Sequence, residues 1–280
     1  MSVFVSAEDL RLRIRAGEKN TILASLWEPE EGKAVSKYRS EHIPTSQFCD
    51  PAAHLAGLPG SRSGRNPLPA PEVVERAIRM WGIGPGRPVI AYDQGNCLYA
   101  ARAWWVLRWM GIEDVHILDG GFADWDRRGF HTLAGPGSPA VKRHVPTHPG
   151  SMPTAEMSQV REFEGLLIDA RGADRFAGRK ENLDLRAGHI PGALNLPVYD
   201  LFDKETRTLR SVEEIRGRLA EVGLTQNTDP AEVIVYSGSG NHSALLIAVM
   251  EHVGLPVVTH YVGGWSQWSA EKSNPIATDV

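Results

Sequence analysis

The chain has 280 residues, of which 42% are hydrophobic and 23% are charged, and its formal net charge is −4 at pH 7. This length exceeds the usual size of one domain, so we expect two domains of ordinary size. The small net charge, with both signs spread along the chain, gives little support to nucleic acid or a membrane surface as a partner.

The N-terminus and the cysteines indicate the compartment. The stretch from Met1 to Asp9 lacks the basic and apolar regions of a signal peptide, and no apolar run reaches membrane-spanning length. Cys49 and Cys97 are the only cysteines, which excludes a disulfide framework and a paired-cysteine metal motif. We therefore expect a cytoplasmic protein.

The sequence repeats itself once. Ser6-Ala7-Glu8 is echoed by Thr154-Ala155-Glu156, and each triplet is a predicted helix N-cap followed by an acid. The further pairs, in the same order, are His42-Ile43-Pro44 with His189-Ile190-Pro191, Val89 to Tyr92 with Val233 to Tyr236, and Gly120 to Trp125 with Gly263 to Trp268. Because ordered matches with a slowly drifting offset are typical of duplication, we predict two copies of one domain.

The repeat sets the predicted domain boundaries. We expect an N-terminal domain over residues 1–134, a linker over 135–153 and a C-terminal domain over 154–280. The linker is rich in proline and glycine and has no apolar periodicity, which is typical of a segment that lies along a surface.

Strand-like and helical runs alternate within each copy. In the second copy the predicted elements are strands at Leu166–Asp169, Val233–Tyr236 and Val257–Tyr261, a helix opened by a capping box at Ser211–Glu214, and a helix over Ser243–Val253. This alternation predicts α/β domains, each with a mostly parallel sheet and helices on both faces.

The loop after the strand Val233–Tyr236 is the candidate active site. It runs from Ser237 to His242 and leads into an apolar helix. Because Gly238 and Gly240 lack side chains, the backbone can curl so that successive N–H groups point at one spot, at the positive end of the helix. Such a curl favours an anion or a thiolate, and ligands usually bind at this end of a parallel strand. The loop positions expected to bind the substrate are Gly238, Gly240, Asn241 and His242.

The chain resembles a tandem-domain rhodanese, a sulfurtransferase. The resemblance covers nearly the whole chain and rests on the paired His-Ile-Pro motifs, the Gly-Gly-x-x-x-Trp endings, Asp169-Ala170-Arg171 and the Gly238-Ser239-Gly240 loop. It implies an inactive N-terminal domain and a catalytic C-terminal one, without a metal or organic cofactor. In this family a loop cysteine takes sulfur from a small anionic donor, becomes a persulfide and passes the sulfur to cyanide or a thiol. The Gly-Ser-Gly sequence resembles mercaptopyruvate enzymes more than thiosulfate enzymes.

The position of the family cysteine is Ser237 in this chain. Persulfide chemistry needs a soft sulfur whose thiolate is accessible near neutral pH, and a hydroxyl without an activating base is a far weaker nucleophile. Two explanations stay open, namely a degenerate sulfurtransferase and a native cysteine exchanged for serine. The alternative function is a non-catalytic module that holds an anion or a protein partner in the same loop.

The resemblance also implies residues that support the loop. Mercaptopyruvate-type enzymes use an N-domain histidine and acid to support the loop serine, which is Ser239 here. The histidine position is Asn66, and the nearest candidate for the acid is Asp50. The last loop position, usually threonine, is His242, which either replaces part of the missing proton chemistry or faces solvent on the first helical turn.

Arginines are the expected contacts to the donor. Arg175 matches the family arginine that binds the donor's anionic end, and a guanidinium suits a carboxylate or thiosulfonate. The second family arginine lies in the loop before His189, where Arg179 or Arg186 could fill the position. We prefer Arg186 because it is closer to His189.

Several other features receive a structural explanation. His42 and His189 recur in both copies and are expected to brace a turn. Asp169 and Arg171 are expected to pair at a strand end. The tryptophans expected to pack in a core or a domain interface are Trp104, Trp105, Trp125, Trp265 and Trp268.

The first copy has its own version of the loop. Since Tyr92 aligns with Tyr236, Asp93 takes the position of Ser237. Cys97 then lies beyond that position, and we do not expect it to be a nucleophile.

Overall fold

The computed structural model describes residues 2–279, and the chain divides into two compact units. The first consists of Met1–Ala56, Pro69–Ser151 and Lys204–Leu209. The second consists of Gly57–Leu68, Met152–Asp203 and Arg210–Val280. The main change of unit therefore falls at Met152, inside the predicted linker.

The first unit is built on a parallel sheet. Its strands are β1 (Phe4–Val5), β2 (Thr21–Ser25), β3 (Gln47–Cys49), β4 (Val89–Tyr92) and β5 (Val115–Leu118). Its helices are α1 (Ala7–Arg15), α2 (Lys33–Ser40), α3 (Pro51–His54), α4 (Pro71–Met80), α5 (Leu98–Trp109) and α6 (Gly121–Arg127). The strands lie in the order β1-β5-β4-β2-β3, and every pairing between neighbours is parallel.

The second unit follows the same plan. Its strands are β6 (Leu166–Asp169), β7 (Leu194–Asn195), β8 (Val233–Tyr236) and β9 (Thr259–Tyr261). Its helices are α7 (Met157–Arg161), α8 (Ala173–Phe176), α9 (Val212–Glu221), α10 (Asn241–His252) and α11 (Gly264–Trp268), with 3-10 turns at Val198–Leu201 and Pro230–Glu232. The sheet order is β7-β6-β8-β9, again parallel throughout. The predicted fold class, two α/β units with parallel sheets, is confirmed.

Burial explains which sequence runs became the central elements. The strands β4 and β8 are buried at every position, as continuous apolar runs in the middle of a parallel sheet should be. Helix α10 is buried along most of its length. Among residues 2–279, however, no helix combines the length and the apolarity that crossing a membrane requires.

Helix starts test the capping predictions. Ser211 and Glu214 form the predicted capping box of α9, and Ser6 caps α1. The predicted cap at Thr154 is wrong, because α7 is capped by Glu156. Thr154 instead forms a bridge with His260, so its backbone is extended and the helix begins later.

Two other boundaries shift. The predicted strand over Val257–Tyr261 is confined to Thr259–Tyr261. Helix α10 begins at Asn241 instead of Ser243, because Gly240 adopts a left-handed conformation that ends the loop at that point.

The paired histidines brace turns, as predicted. His42 Nδ1 lies 2.8 Å from the carbonyl oxygen of Tyr38, and His189 Nδ1 lies 2.9 Å from that of Phe176. Each ring also stacks on the side chain of the same residue. The tryptophans expected in the core are buried, namely Trp104, Trp105, Trp125, Trp265 and Trp268.

Candidate active site

The loop from Ser237 to His242 joins the carboxyl end of β8 to the start of α10. Its first carbonyl groups are held by α11, since Trp265 N–H donates to the Ser237 oxygen at 2.7 Å and Ser266 N–H donates to the Gly238 oxygen at 2.9 Å. Gly264 permits this approach, because a Cβ at that position would collide with the Ser237 carbonyl oxygen. The Gly-Gly-x-x-x-Trp motif therefore fixes the base of the loop.

The hydroxyl of Ser237 begins a short buried chain of polar groups. Its Oγ lies 3.0 Å from Ser243 Oγ, which lies 2.7 Å from Nε2 of His260. All three residues are fully buried. The side chain of Ser237 is therefore bonded towards the core, where an atom at this position could exchange a proton with Ser243.

The backbone N–H groups of the loop are the next feature of the site. Among the described residues, no hydrogen bond comes from the backbone N–H groups of 238–243, which include the first turn of α10. The first N–H groups of a helix have no partner within the helix, and they lie at its positive end. This loop thus has the donors and the polarity that bind an anion.

The segment Gly57–Leu68 of the second unit brings further side chains to the loop. It is held by α11, since Ser266 Oγ accepts from Arg65 N–H at 3.0 Å and Gln267 Nε2 donates to the Arg62 oxygen at 2.7 Å. Asn66 Nδ2 then donates to Ser239 Oγ at 2.9 Å. The structure therefore places Asn66 beside the loop serine that it is predicted to support.

Two arginines lie against the glycine of the loop. A Cβ built on Gly238 would meet Arg65 Nη2 at 3.0 Å and Arg175 Nη1 at 3.2 Å. Burial, with Arg175 nearby, lowers the pKa of Arg65 to about 10. The guanidinium group of Arg65 therefore stays charged at neutral pH.

These arginines are already paired with carboxylates. Arg175 Nη2 lies 2.8 Å from Glu181 Oε1 and 2.9 Å from Asp184 Oδ2, and Asp184 also pairs with Arg65. The side chains of Glu181 and Asp184 are only 5% and 3% exposed. The positive charge predicted at this site is therefore balanced from within the unit.

Arg171 forms the predicted structural pair at the end of β6. Its Nη2 lies 2.7 Å from Asp169 Oδ2 and donates to the Gly188 oxygen at 2.7 Å. Although burial acts to lower it, Asp169 raises the pKa of Arg171 above its usual value. The guanidinium also lies over the ring of Trp265, 4.9 Å from its centroid.

His242, in the first turn of α10, is partly buried. Its ring makes an edge contact with Tyr199, with 5.5 Å between the centroids. Burial, together with the charges of Arg175, Arg171 and Arg65, lowers the pKa of His242 to about 4. The imidazole is therefore neutral at pH 7 and can serve as a hydrogen-bonding group but not as a cation.

Comparison with known proteins identifies this architecture. The model of the rhodanese-like domain matches residues 6–128 and again residues 154–271. The chain belongs to the rhodanese family.

Relatives of this rhodanese are named as sulfurtransferases. The 3-mercaptopyruvate sulfurtransferase of Escherichia coli K12 is 32% identical over 283 residues, which cover 98% of this chain and 97% of the relative. The thiosulfate sulfurtransferase of Gallus gallus is 30% identical over 278 residues, which cover 94% and 92%. The solved structure of the 3-mercaptopyruvate sulfurtransferase from Leishmania major has a TM-score of 0.87 at 26% identity, covering 98% of this chain and 76% of that one.

The preference for Arg186 as the second substrate arginine of this rhodanese is not supported by its contacts. Its guanidinium donates to backbone oxygens at the end of α11 and beyond, including Ser269 at 2.8 Å and Asn274 at 3.1 Å. Arg179, the other candidate, pairs at the surface with Asp174. Arg65 is the arginine that lies beside Gly238, and it comes from a segment far away in the sequence.

Asp50, the candidate for the supporting acid, caps a helix in this structure. It belongs to the first unit, where its carboxylate accepts from Ala52 N–H at 2.9 Å and from Ala53 N–H at 3.4 Å. These are the hydrogen bonds of a helix cap, and they use the carboxylate for the start of α3.

Neither cysteine offers the missing thiol. Cys49 and Cys97 are both buried. Burial raises the pKa of each thiol above its usual value, and the charges of Asp50 and Asp93 add to this effect. The expectation that Cys97 is not a nucleophile agrees with this environment.

Sequence reasoning missed several residues of the site. They are Arg65, Glu181, Asp184, Ser243 and His260. The sequence gave only weak signals for these residues. Ser243 directly follows the predicted loop, and Arg65 directly precedes Asn66. His260 lies inside a strand and gave no signal.

Proposed function

We propose that this rhodanese is a sulfurtransferase-type protein whose second unit holds a small sulfur donor, mercaptopyruvate or thiosulfate, and in which Ser237 arrests sulfur transfer. The observation that carries the proposal is the set of loop N–H groups at the start of α10, with Arg175 and Arg65 against Gly238. The acceptor would be a thiol or cyanide.

A cysteine at position 237 would have the surroundings that the reaction needs. A helix N-terminus lowers a thiol pKa, and Ser243 Oγ is within hydrogen-bond distance of the side chain at position 237. The thiolate attacks the sulfur to be transferred, and the bond between that sulfur and the rest of the donor breaks with its electron pair leaving on the donor. The persulfide formed then gives its outer sulfur to the acceptor. A serine oxygen lacks the polarisability that this exchange uses.

A second function is favoured by a separate observation. The hydroxyl of Ser237 is buried, and the arginines beside the loop are paired with Glu181 and Asp184. These features suit a rhodanese-like module that binds an anion or a protein partner without chemistry.

The deciding experiment is the substitution Ser237→Cys. We expect the unchanged protein to form no persulfide with mercaptopyruvate or thiosulfate, as measured by mass spectrometry of the intact protein. The cysteine variant should form a persulfide and release sulfide or thiocyanate when a thiol or cyanide is added.

The controls distinguish a folded protein that cannot transfer sulfur from a protein that does not fold. Ser237→Ala should behave like the unchanged protein, and Arg175→Ala in the cysteine background should weaken the use of the donor. If the Ser237→Cys protein is folded, as judged by circular dichroism, and its new thiol can be alkylated yet takes no sulfur, the binding module replaces the enzyme.

A further inference from the structure

Two arginines direct one nitrogen each towards the same point of the loop. A Cβ built on Gly238 would lie 3.0 Å from Nη2 of Arg65 and 3.2 Å from Nη1 of Arg175. Because glycine has no side chain, no atom of residue 238 stands at this point. One small group beside Gly238 can therefore contact both nitrogens.

The other terminal nitrogen of each arginine is held by one carboxylate. Oδ1 of Asp184 pairs with Nη1 of Arg65, and Oδ2 of Asp184 lies 2.9 Å from Nη2 of Arg175. A guanidinium group is planar and rigid, so a contact at one nitrogen restricts the direction of the other. Asp184 thus joins the two arginines, with a different oxygen for each.

The carboxylate also offsets a repulsion between like charges. Burial acts most strongly to lower the pKa of Arg65, and the charge of Arg175 acts next. An opposite charge between two guanidinium groups reduces such a repulsion. The side chain of Asp184 is only 3% exposed, whereas those of Arg65 and Arg175 are 31% and 21% exposed. Asp184 is therefore committed to the arginines, while the arginines can still be reached from solvent.

Glu181 fixes the turn that carries Asp184. Its Oε1 accepts from the N–H groups of Leu183 at 2.9 Å and Asp184 at 3.0 Å. Both of its carboxylate oxygens also lie 2.8 Å from Nη2 of Arg175. Glu181 therefore holds one arginine, and Asp184 is the carboxylate that holds both.

The third arginine near the loop has a different arrangement. Arg171 approaches the Cβ built on Gly238 with its Cδ atom, at 3.8 Å. Its Nε and Nη2 donate to Asp169 at 2.9 Å and 2.7 Å, and Nη2 also donates to the Gly188 oxygen. Arg171 thus supports the end of β6, and the pair at Gly238 consists of Arg65 and Arg175.

We infer that Asp184 is a positioning residue that holds Arg65 and Arg175 as a clamp for the anionic end of the sulfur donor beside Gly238. This inference rests on the proposed function and names the groups that bind its donor. An anion with two or more oxygens on one atom fits the clamp, because each nitrogen can donate to a separate oxygen. The carboxylate of mercaptopyruvate and the sulfonate end of thiosulfate both have this form.

The test measures the affinity of the unchanged Ser237 protein and its variants for thiosulfate and for mercaptopyruvate by calorimetry. Asp184→Asn removes a negative charge, so a purely electrostatic effect would strengthen the binding of an anion. A positioning role predicts the opposite sign, because asparagine has one oxygen and turns an N–H donor towards the second arginine. We expect both donors to bind roughly tenfold more weakly.

Arg65 supplies a second variant that leaves Asp184 unchanged. Arg65→Lys keeps the charge but has a single nitrogen in place of the two that separately face Asp184 and the loop. We expect it to weaken the binding of both donors by roughly tenfold as well. The matched control is Arg62→Lys, which makes the same change at an exposed position of the same segment and should alter the affinity by less than about twofold.

The double variant Arg65→Lys with Asp184→Asn shows whether the two residues act together. If Asp184 works through the arginines, the double variant should bind the donors less weakly than two independent losses would give. Melting curves show whether each variant is folded, and the comparison of Arg65→Lys with Arg62→Lys decides the matter if Asp184→Asn does not fold.

Several results would overturn the inference. It fails if neither donor binds the unchanged protein, if folded Asp184→Asn binds them as well or better, or if Arg65→Lys behaves like Arg62→Lys. Sulfur transfer is measured separately in the Ser237→Cys protein. A Ser237→Cys protein that transfers sulfur while the clamp variants bind normally refutes the clamp alone, and a working clamp in a protein that takes no sulfur refutes the enzyme alone.

Discussion

The loop after β4 and the loop after β8 share one backbone plan but differ in what fills them. Trp265 N–H donates to the Ser237 oxygen, and Phe122 N–H donates to the Asp93 oxygen in the same way. This equivalence agrees with the predicted alignment of Asp93 with Ser237. Each loop also ends at a left-handed residue that caps the following helix, Cys97 in one and Gly240 in the other.

In the first loop the protein supplies its own anion. The buried carboxylate of Asp93 accepts from the N–H groups of Gly95, Cys97, Tyr99 and Ala100 at 2.9 to 3.3 Å. In the second loop the corresponding side chain is the hydroxyl of Ser237, and the backbone N–H groups do not donate to it. The comparison shows that a carboxylate at this position occupies the backbone N–H groups of its loop, whereas a hydroxyl leaves those groups available to a ligand.

Removing each of these side chains should give the largest contrast. Asp93→Ala leaves several buried N–H groups without their acceptor, and we expect the free energy of unfolding to fall by at least about 3 kcal/mol. Ser237→Ala loses one hydrogen bond and should cost about 1 kcal/mol. Urea titration of both variants measures the difference, and equal losses would contradict the view that only the first loop is filled from within.

The glycines under the loops should give the next largest effect. Gly121 and Gly264 have φ of +55° and +56°, and a Cβ on Gly121 would lie 2.7 Å from the Asp93 oxygen. Gly121→Ala and Gly264→Ala should each lower the free energy of unfolding by about 3 kcal/mol, because a strained backbone and an overpacked contact both contribute.

The control for these glycines is Gly217, in the interior of α9, where a Cβ meets nothing within 4 Å. Gly217→Ala should raise the stability by up to about 1 kcal/mol, since alanine is the better helix former. Thermal or urea unfolding of the variants checks the signs. A stable Gly264→Ala protein would mean that α11 does not set the base of the loop.

The smallest expected effect is a pH dependence of the stability that arises only in the second loop. His242 has a lowered pKa of about 4 in the folded state against 6.5 when unperturbed, so between these values the unfolded chain binds a proton that the folded chain does not. Above pH 6.5 the His242 ring is neutral in both states and does not lower the free energy of unfolding. As the pH is lowered from 6.5 towards 4, the free energy of unfolding falls by at most about 1.4 kcal/mol per pH unit.

His242→Gln should remove this part of the pH dependence. The first loop has Tyr99 at the corresponding position, so no similar titration arises there. Urea unfolding of both proteins from about pH 7 to about pH 5 measures the difference in slope. Parallel pH profiles would show that His242 is more accessible to protons than its surroundings indicate.

The sequence by itself determined the repeat, the fold class and the position of the loop. Continuous apolar strands such as Val233–Tyr236 are expected to be buried, and glycines such as Gly240 allow the turn into the helix. These are local properties, readable from neighbouring residues. The motif around Asn66 also pointed to Ser239, and Asn66 Nδ2 lies 2.9 Å from Ser239 Oγ, while its role in supporting that serine stays a prediction.

Only the tertiary structure decided which charges meet at the loop. No sequence pattern distinguishes the roles of Arg65 and Arg186. Arg65 lies against Gly238, whereas Arg186 donates to carbonyl oxygens after α11. Their roles depend on which segments pack together, and a single sequence does not encode that as a pattern. For the same reason, only the folded structure shows that Arg175 forms ion pairs with Glu181 and Asp184. The same holds for the hydrogen bond between Ser243 and His260.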